Sequence, residues 1–231
     1  MIGAFTRLAL ASVVCASVAA SAAAGDGNSA TVLQISPVGS TNGNVLVLDQ
    51  SAASNSTLAG VSFGEALNSV SLVTEANQLP ATQIGEGNRA NVTLIGDGAT
   101  ARLLQSTTGG AGIAPHDGNR AAILASDAAA ASVVQVGLGN EASLTLDPHA
   151  TALVSQIGNS NLVSDLSVGT GGDATVAQTG NNNTTGAIIV PPGVMLNYAQ
   201  TGNGLNPIGS TGVQVFYSTA PGGISITQQG W

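Results

Sequence analysis

A short motif of the form Gln-x-Gly-x-x-Asn recurs along this chain at a nearly fixed distance. Its glutamine position is occupied at 83, 105, 135, 156, 178 and 200, so the successive steps are 22, 30, 21, 22 and 22 residues. The one long step contains an inserted glycine-rich loop, from Thr107 to Pro115. A fixed period of this length is typical of solenoids and stacked arrays, in which each repeat contacts only its neighbours.

Each repeat contains two runs of strand-forming residues. Residues 131–134 precede one copy of the motif and residues 142–146 follow it, and both are runs of the β type. Gly and Asn between the runs tolerate the positive φ that a short reversal requires. The repeat therefore predicts an all-β fold, in which stacked β-arch repeats of about 22 residues form a β-solenoid. The alanine run at 128–131 favours a helix locally, but it lies between two repeats in phase, and we expect strand there.

In such a stack the same side chain recurs at the same place, about 4.8 Å from its copy in the next repeat. Stacked glutamines and stacked asparagines then form hydrogen-bonded amide ladders. The alternative is that these residues are only polar neighbours of a turn, and five copies in phase favour the ladder. The predicted ladder and turn positions, interpreted as the self-assembly site, are Gln50, Gln83, Gly85, Asn88, Gln105, Asn119, Gln135, Gly137, Asn140, Gln156, Gly158, Asn161, Gln178, Gly180, Asn183, Gln200, Gly202 and Gln228.

The motif resembles the curlin repeat of bacterial curli subunits, Ser-x5-Gln-x-Gly-x-x-Asn-x-Ala, followed four residues later by a second glutamine. Alanines occupy the position two residues after three of the asparagines, and the second half of the pattern is matched early by Asn44, Leu46 and Gln50. Residues 56–78 fit the pattern poorly. The second glutamine is replaced in the later repeats by Leu94, Ala125, Leu146, Ser167 and Ile189.

The resemblance implies a functional amyloid subunit of a biofilm matrix, located as fibres on the bacterial cell surface. It implies export through a dedicated outer-membrane channel, with copies of the same chain or another curlin-type subunit as partners. The rank of the chain among major, minor and nucleating subunits stays open.

Three segments are expected along the chain. Residues 1–24 have the form of a signal peptide, with Arg7, an apolar run at 8–18 and three alanines at 22–24. Residues 25–78 are an irregular N-terminal segment with a degenerate first repeat, and residues 79–231 carry the curlin-like repeats. No later segment approaches the roughly 20 apolar residues of a membrane span. We therefore expect a secreted protein whose mature form lacks the one cysteine of the chain.

Composition excludes several classes of function. The chain has no lysine, four arginines and twelve acidic residues, with a formal net charge of −8, whereas binding nucleic acid requires a basic surface. A nucleotide site of the form Gly-x-Gly-x-x-Ala opens a helix, whereas at least two of the three matches here lead into β-type runs. His116 and His149 have no metal-ligand spacing around them and are interpreted as loop residues. Scattered Asp residues in turns do not repeat as calcium sites do. No catalytic residue, cofactor or metal site is predicted, and we expect a protein that is not an enzyme.

The unpaired edges of the stack suggest a mechanism. Sheet proteins usually protect edge strands with lysine, proline or bulges, and the proposed strands have no lysine and few prolines. Copies are therefore expected to add end to end, faster as the pH falls toward about 4 and the carboxylates lose their charge. A monomeric β-solenoid that serves as an adhesin or binding module is the alternative. The segment 223–231, which has the form of half a repeat, favours assembly.

Overall fold

The computed structural model describes residues 27–36, 42–60, 79–107, 118–206, 214–215 and 223–230. Within these ranges all regular structure is β-strand, and no helix is long and apolar enough to cross a membrane. The all-β prediction is confirmed, including at the alanine run, where Ala128 has a φ of +56° in a turn and Ala130 begins a strand. The predicted signal peptide at 1–24 lies outside the described residues.

Seventeen strands are described, in chain order. They are β1 (Ser29–Ala30), β2 (Val32–Ile35), β3 (Val45–Ser54), β4 (Thr57–Ala59), β5 (Ala81–Ile84), β6 (Arg89–Asp97), β7 (Thr100–Ser106), β8 (Arg120–Ser126), β9 (Ala130–Val136), β10 (Glu141–Leu146), β11 (Thr151–Ile157), β12 (Leu162–Val168), β13 (Asp173–Thr179), β14 (Ala187–Val190), β15 (Met195–Thr201), β16 (Gln214–Val215) and β17 (Ile224–Gln229).

The strands form two parallel sheets. Sheet 1 has ten strands, of which eight follow the order β1, β4, β7, β9, β11, β13, β15 and β17. The other two are β5, which pairs with β7, and β2, which pairs with β5. Sheet 2 has seven, in the order β16, β14, β12, β10, β8, β6 and β3. From β6 to β17 the chain alternates between the two sheets. Each strand from β6 to β15 therefore pairs with a strand of the preceding repeat and a strand of the following repeat.

An insertion explains why residues 56–78 do not match the repeat. β4 and β5 both pair with β7, with Ala59 opposite Arg102 and Thr82 opposite Leu104. They are two pieces of one strand position, separated by residues 60–80. The base of the insertion is closed by a hydrogen bond from Gly60 N to the Leu79 carbonyl oxygen (2.7 Å). Residues 61–78 and 108–117 lie outside the described ranges, and the second of these ranges contains the predicted loop except Thr107.

The core is shared by the two sheets and follows the two-residue period of the strands. In β11 the alternate residues Ala152, Val154 and Gln156 are completely buried, and in β10 Ala142, Leu144 and Leu146 are at most 2% exposed. The apolar side chains among these six residues belong to one continuous hydrophobic cluster. Removing a valine or leucine of this kind from water contributes about 1.5–3 kcal/mol, so each repeat adds its own portion of the core.

Because of a register shift, the residues of β12 and β14 at the second glutamine position are not the ones that the sequence spacing indicates. The register of β10 and β12 shifts between Ala142 and Leu144, which brings Leu146 opposite Val168 rather than Ser167. Val168 is in turn opposite Val190, so Ile189 also lies outside this column. The column is entirely apolar and buried, and it consists of Leu94, Ala125, Leu146, Val168 and Val190.

Candidate assembly site: the amide ladders

One uninterrupted glutamine ladder runs across sheet 1. Each side-chain Nε2 donates to the Oε1 of the next glutamine along the sheet, over distances of 2.5 to 2.8 Å. The strand register places these residues directly opposite one another. The ladder consists of Gln34, Gln83, Gln105, Gln135, Gln156, Gln178, Gln200 and Gln228.

The same glutamines also connect the two sheets. Gln156 Nε2 donates to the Glu141 carbonyl oxygen at 2.9 Å and to the Asn161 carbonyl oxygen at 3.0 Å. Gln178 repeats this pattern with the carbonyl oxygens of Leu162 and Asn183. A buried amide is costly unless its donors and acceptor are satisfied, and here the ladder and the backbone of sheet 2 satisfy both.

An asparagine ladder lies in the turns that lead from sheet 1 to sheet 2. Along this ladder each side-chain amide donates to the asparagine of the preceding repeat, whereas each glutamine donates to the following one. The Oδ1 of Asn140, for example, accepts from the backbone N of Asn161 at 3.1 Å and from its Nδ2 at 3.0 Å. The last acceptor, Asn183 Oδ1, receives the backbone N of Leu205, which has no side-chain amide to continue the ladder. The members are Asn44, Asn88, Asn119, Asn140, Asn161 and Asn183.

The motif glycines are required both by conformation and by space. Gly137, Gly158 and Gly180 have φ values of +118°, +115° and +114°, a region that disfavours residues with a Cβ. A Cβ at Gly158 would lie 2.0 Å from the carbonyl oxygen of Gly180 in the next repeat. Gly85 and Gly202 also have positive φ. Any larger residue would separate neighbouring repeats at this turn.

Gln50 is the one predicted glutamine outside the ladder. It is half-buried in β3, where the register to β6 shifts between Asp49 and Ala52, and its Nε2 donates to the Ser56 carbonyl oxygen at 3.1 Å. Gln34 stands at the start of the ladder instead. The signal for Gln34 was a short apolar run that ends in glutamine, as in the later repeats.

A third ladder, on the turn surface, was missed. Asn159 N donates to Asn181 Oδ1 at 2.8 Å, and Asn181 N donates to Asn203 Oδ1 at 2.8 Å. The signal was available: in three successive motifs an asparagine follows the glycine directly.

Two titratable groups have shifted pKa values. Tyr198 is completely buried beside the glutamine ladder and donates its hydroxyl to Gln228 Oε1 at 3.0 Å; burial raises its pKa above 10.0. The backbone and side-chain hydrogen bonds of Ser51 lower the pKa of Asp49.

The histidine and aspartates that the structure describes do not form a metal site. His149 is exposed at a turn with a φ of +62°, and His116 lies outside the described residues. Asp97 accepts a hydrogen bond from Asn55 Nδ2 at 2.8 Å. In the part of the chain that the structure describes, no three His, Cys, Asp or Glu residues converge to hold a metal ion.

Both ends of the sheets present strand edges. Among the described strands, β1, β2 and β3 at one end and β16 and β17 at the other pair with a neighbour on one side only. β3 is the longest, with ten residues, and two of its valines, Val45 and Val47, are 45% and 53% exposed. A strand edge whose backbone has no partner can pair with a further strand.

The chain matches no family model, no curated protein and no solved structure.

Proposed function

We propose that this chain is the structural subunit of an extracellular, curli-like functional amyloid fibre. Its strands would add to the sheet edges of the next copy, so that the fibre itself is the functional product. The observation that carries the proposal is the glutamine ladder, which crosses the whole of sheet 1 between two open edges. A further copy would extend this ladder with hydrogen bonds of the kind already present within one chain.

In this proposal each repeat is a β-arch and the array is a β-solenoid. The alternation of the chain between the sheets, the close glycine contacts in the turns and the shared core support this reading. A single arch leaves its edges unpaired, so its stability depends on neighbours above and below.

The polarity of the ladder favours head-to-tail addition. Every glutamine of the ladder donates toward the end that contains β17, so Gln228 of one copy would donate to Gln34 of the next. Such a contact also keeps all strands parallel, as they are within the chain. Joining two identical ends would instead place acceptor against acceptor at the Gln34 ends, or donor against donor at the Gln228 ends. A head-to-tail contact that does not close on itself produces an open filament.

The resemblance to curlin repeats supports the remaining parts of the proposal. The chain would lose residues 1–24, leave the cell through an outer-membrane channel and remain at the bacterial surface, alone or with another curlin-type subunit. It would act in biofilm formation and adhesion without cofactor, metal or catalysis.

The test is assembly of purified residues 25–231, followed by thioflavin fluorescence and fibre diffraction. We expect fibres with a reflection at about 4.8 Å along the fibre axis. Q34L removes the proposed acceptor at the joining end, whereas Q50L makes the same change outside the ladder. We expect Q34L to slow elongation onto preformed seeds and Q50L to leave it unchanged. Equal elongation rates for the two variants would contradict the head-to-tail contact.

A monomeric secreted β-solenoid that serves as an adhesin or binding module is the second candidate. It is favoured by the irregular end that contains β16 and β17. There the asparagine ladder stops at Leu205, β16 has two residues, and Gln228 Oε1 already accepts from Tyr198 and Gln200. A stack needs an irregular end to stop growing. Protein that stays monomeric under conditions of seeding would favour this candidate.

A further inference from the structure

Two of the four arginines of the chain lie side by side on the outer face of sheet 2. Arg89 in β6 is directly opposite Arg120 in β8, and Glu141 in β10 is opposite Arg120 on its other side. Val45 in β3 continues the column beyond Arg89. The column therefore carries two positive charges and one negative charge, in a chain with a formal net charge of −8.

This arrangement costs stability. Neighbouring strands are about 4.8 Å apart, and like charges directly opposite each other in a sheet are destabilising. Arg120 is half-buried and has an interaction partner, whereas Arg89 is exposed. Glu141 lies next to Arg120 but two strands away from Arg89, so an anion between the two guanidinium groups would relieve the repulsion.

The arginines line an open groove that runs across the strands, along the direction in which the repeats succeed one another. The groove extends from β3 to β12 and so crosses five strands, a distance of about 19 Å at the usual spacing. Beside the arginines lies a second column of small side chains, Asn91, Ala122 and Ser143. A ligand that fills this groove is long and linear and lies close to the sheet.

We propose that this groove binds a linear polysaccharide that carries carboxylate groups, such as a polyuronate. A guanidinium presents parallel donors that match a carboxylate. The amide of Asn91 and the hydroxyls of Ser143 and Ser164 provide donors and acceptors for sugar hydroxyls. Ala122, which is exposed, leaves room for a sugar ring on the floor of the groove.

Other polyanions fit the groove less well. None of the described residues that line it is aromatic, so these residues offer no surface on which nucleic-acid bases stack. Extended acidic peptides usually gain affinity from main-chain hydrogen bonds at a sheet edge. The groove lies on a sheet face, where the backbone of β6, β8 and β10 is already paired on both sides.

The site lies within a single copy of the chain and does not depend on the proposed function. Binding can be measured on the full chain before any fibre forms, and thioflavin fluorescence reports assembly separately. A chain that never assembles would still be expected to bind.

The test measures binding of fluorescent polygalacturonate to the full chain, with neutral dextran of similar length as the control polymer. R89Q/R120Q removes two positive charges from the groove. T170D/S225D changes the net charge by the same amount at two exposed positions outside the groove. We expect R89Q/R120Q to weaken binding by at least about tenfold, because each arginine makes a charge-assisted contact. T170D/S225D should retain affinity within about threefold, since separated surface charges are screened by salt.

R89K/R120K keeps the positive charges but lacks the planar guanidinium groups. Its affinity for polygalacturonate is expected to lie between those of the wild type and R89Q/R120Q, provided that circular dichroism shows the same fold. Equal losses of affinity in R89Q/R120Q and T170D/S225D would show that only the net charge of the chain matters, and would overturn the proposed site. Equal binding of dextran would overturn the requirement for carboxylates. Tighter binding of polyglutamate than of polygalacturonate would replace the proposed ligand with an acidic polypeptide.

Discussion

Replacing Gln156 by leucine removes one amide from the middle of the glutamine ladder while preserving the approximate size of the side chain. Gln156 Oε1 accepts from Gln135 at 2.8 Å, and its Nε2 donates to Gln178 Oε1 at 2.8 Å. The same Nε2 donates to the carbonyl oxygens of Glu141 and Asn161 in sheet 2. All three glutamine side chains are completely buried, so water does not replace the lost partners.

The magnitude follows from the groups that lose a partner. Gln178 Oε1 loses its donor from the ladder, and Gln135 Nε2 keeps only its bond to the Arg120 carbonyl oxygen (2.7 Å). A buried polar group left without a partner costs about 1–3 kcal/mol, and the added apolar surface offsets about 1 kcal/mol. We expect a net loss of about 3 kcal/mol in the free energy of unfolding, a large part of the roughly 5–15 kcal/mol of a typical domain.

Urea unfolding of the freshly purified chain, followed by circular dichroism, measures this loss. With a slope of about 1–3 kcal/mol per molar urea, the midpoint falls by about 1 M or more. Q50L is the matched control, because Gln50 is half-buried and its acceptor, the Ser56 carbonyl oxygen, keeps a bond from Ser29 N. We expect Q50L to cost less than about 1 kcal/mol. Equal shifts for Q156L and Q50L would refute the view that the ladder contributes more than isolated side-chain hydrogen bonds.

Three further predictions test other features. G171A is expected to cost roughly 1 kcal/mol, because a Cβ at Gly171 meets nothing within 4 Å. G158A should destabilise the fold by several times as much, because a Cβ at Gly158 meets the Gly180 carbonyl oxygen. Similar urea midpoints for the two variants would contradict the close-contact argument. Y198F should increase hydrogen exchange in β17 by removing the bond to Gln228. Since the folded pKa of Tyr198 is raised above 10.0, its contribution is present below pH 10 and is lost as the pH rises through the folded pKa, so the stability difference from Y198F should narrow there; a constant difference would contradict this. Assembly should have a shorter lag at pH 4.5 than at pH 7, because protonation reduces the net negative charge; an unchanged lag would show that charge repulsion does not limit growth.

The repeated half of the motif was predictable because it recurs in phase. Glutamine and glycine at fixed offsets imply one environment in every repeat, and the ladder from Gln83 to Gln200 matches the positions read from the sequence. Side chains of constant identity at constant spacing carry this information without any knowledge of long-range contacts.

The first repeat was harder to predict because several segments within it are longer than in the other repeats, and these additions together obscure the period. Gln34 and Gln83 are 49 residues apart, since the 21-residue insertion at 60–80, a longer loop before β3 and a bulge in β3 all fall between them. The insertion interrupts a strand rather than a turn, which no local pattern indicates. The register shift in β12 is similar, because one extra residue exchanges the two faces of a strand, and only pairing shows that Val168 rather than Ser167 points inward.

The opposite directions of the two ladders have a consequence for the length of the array. Glutamine amides point their N–H groups toward the end with β17, and asparagine amides point theirs toward the end with β3. In an α-helix, aligned amides sum to a macrodipole, whereas here each repeat with both residues contributes two side-chain dipoles that oppose each other. Strand backbones have only small net dipoles. The side-chain dipoles of these two ladders therefore accumulate little as the array lengthens, and the hundredth repeat meets nearly the same dipole field from them as the first.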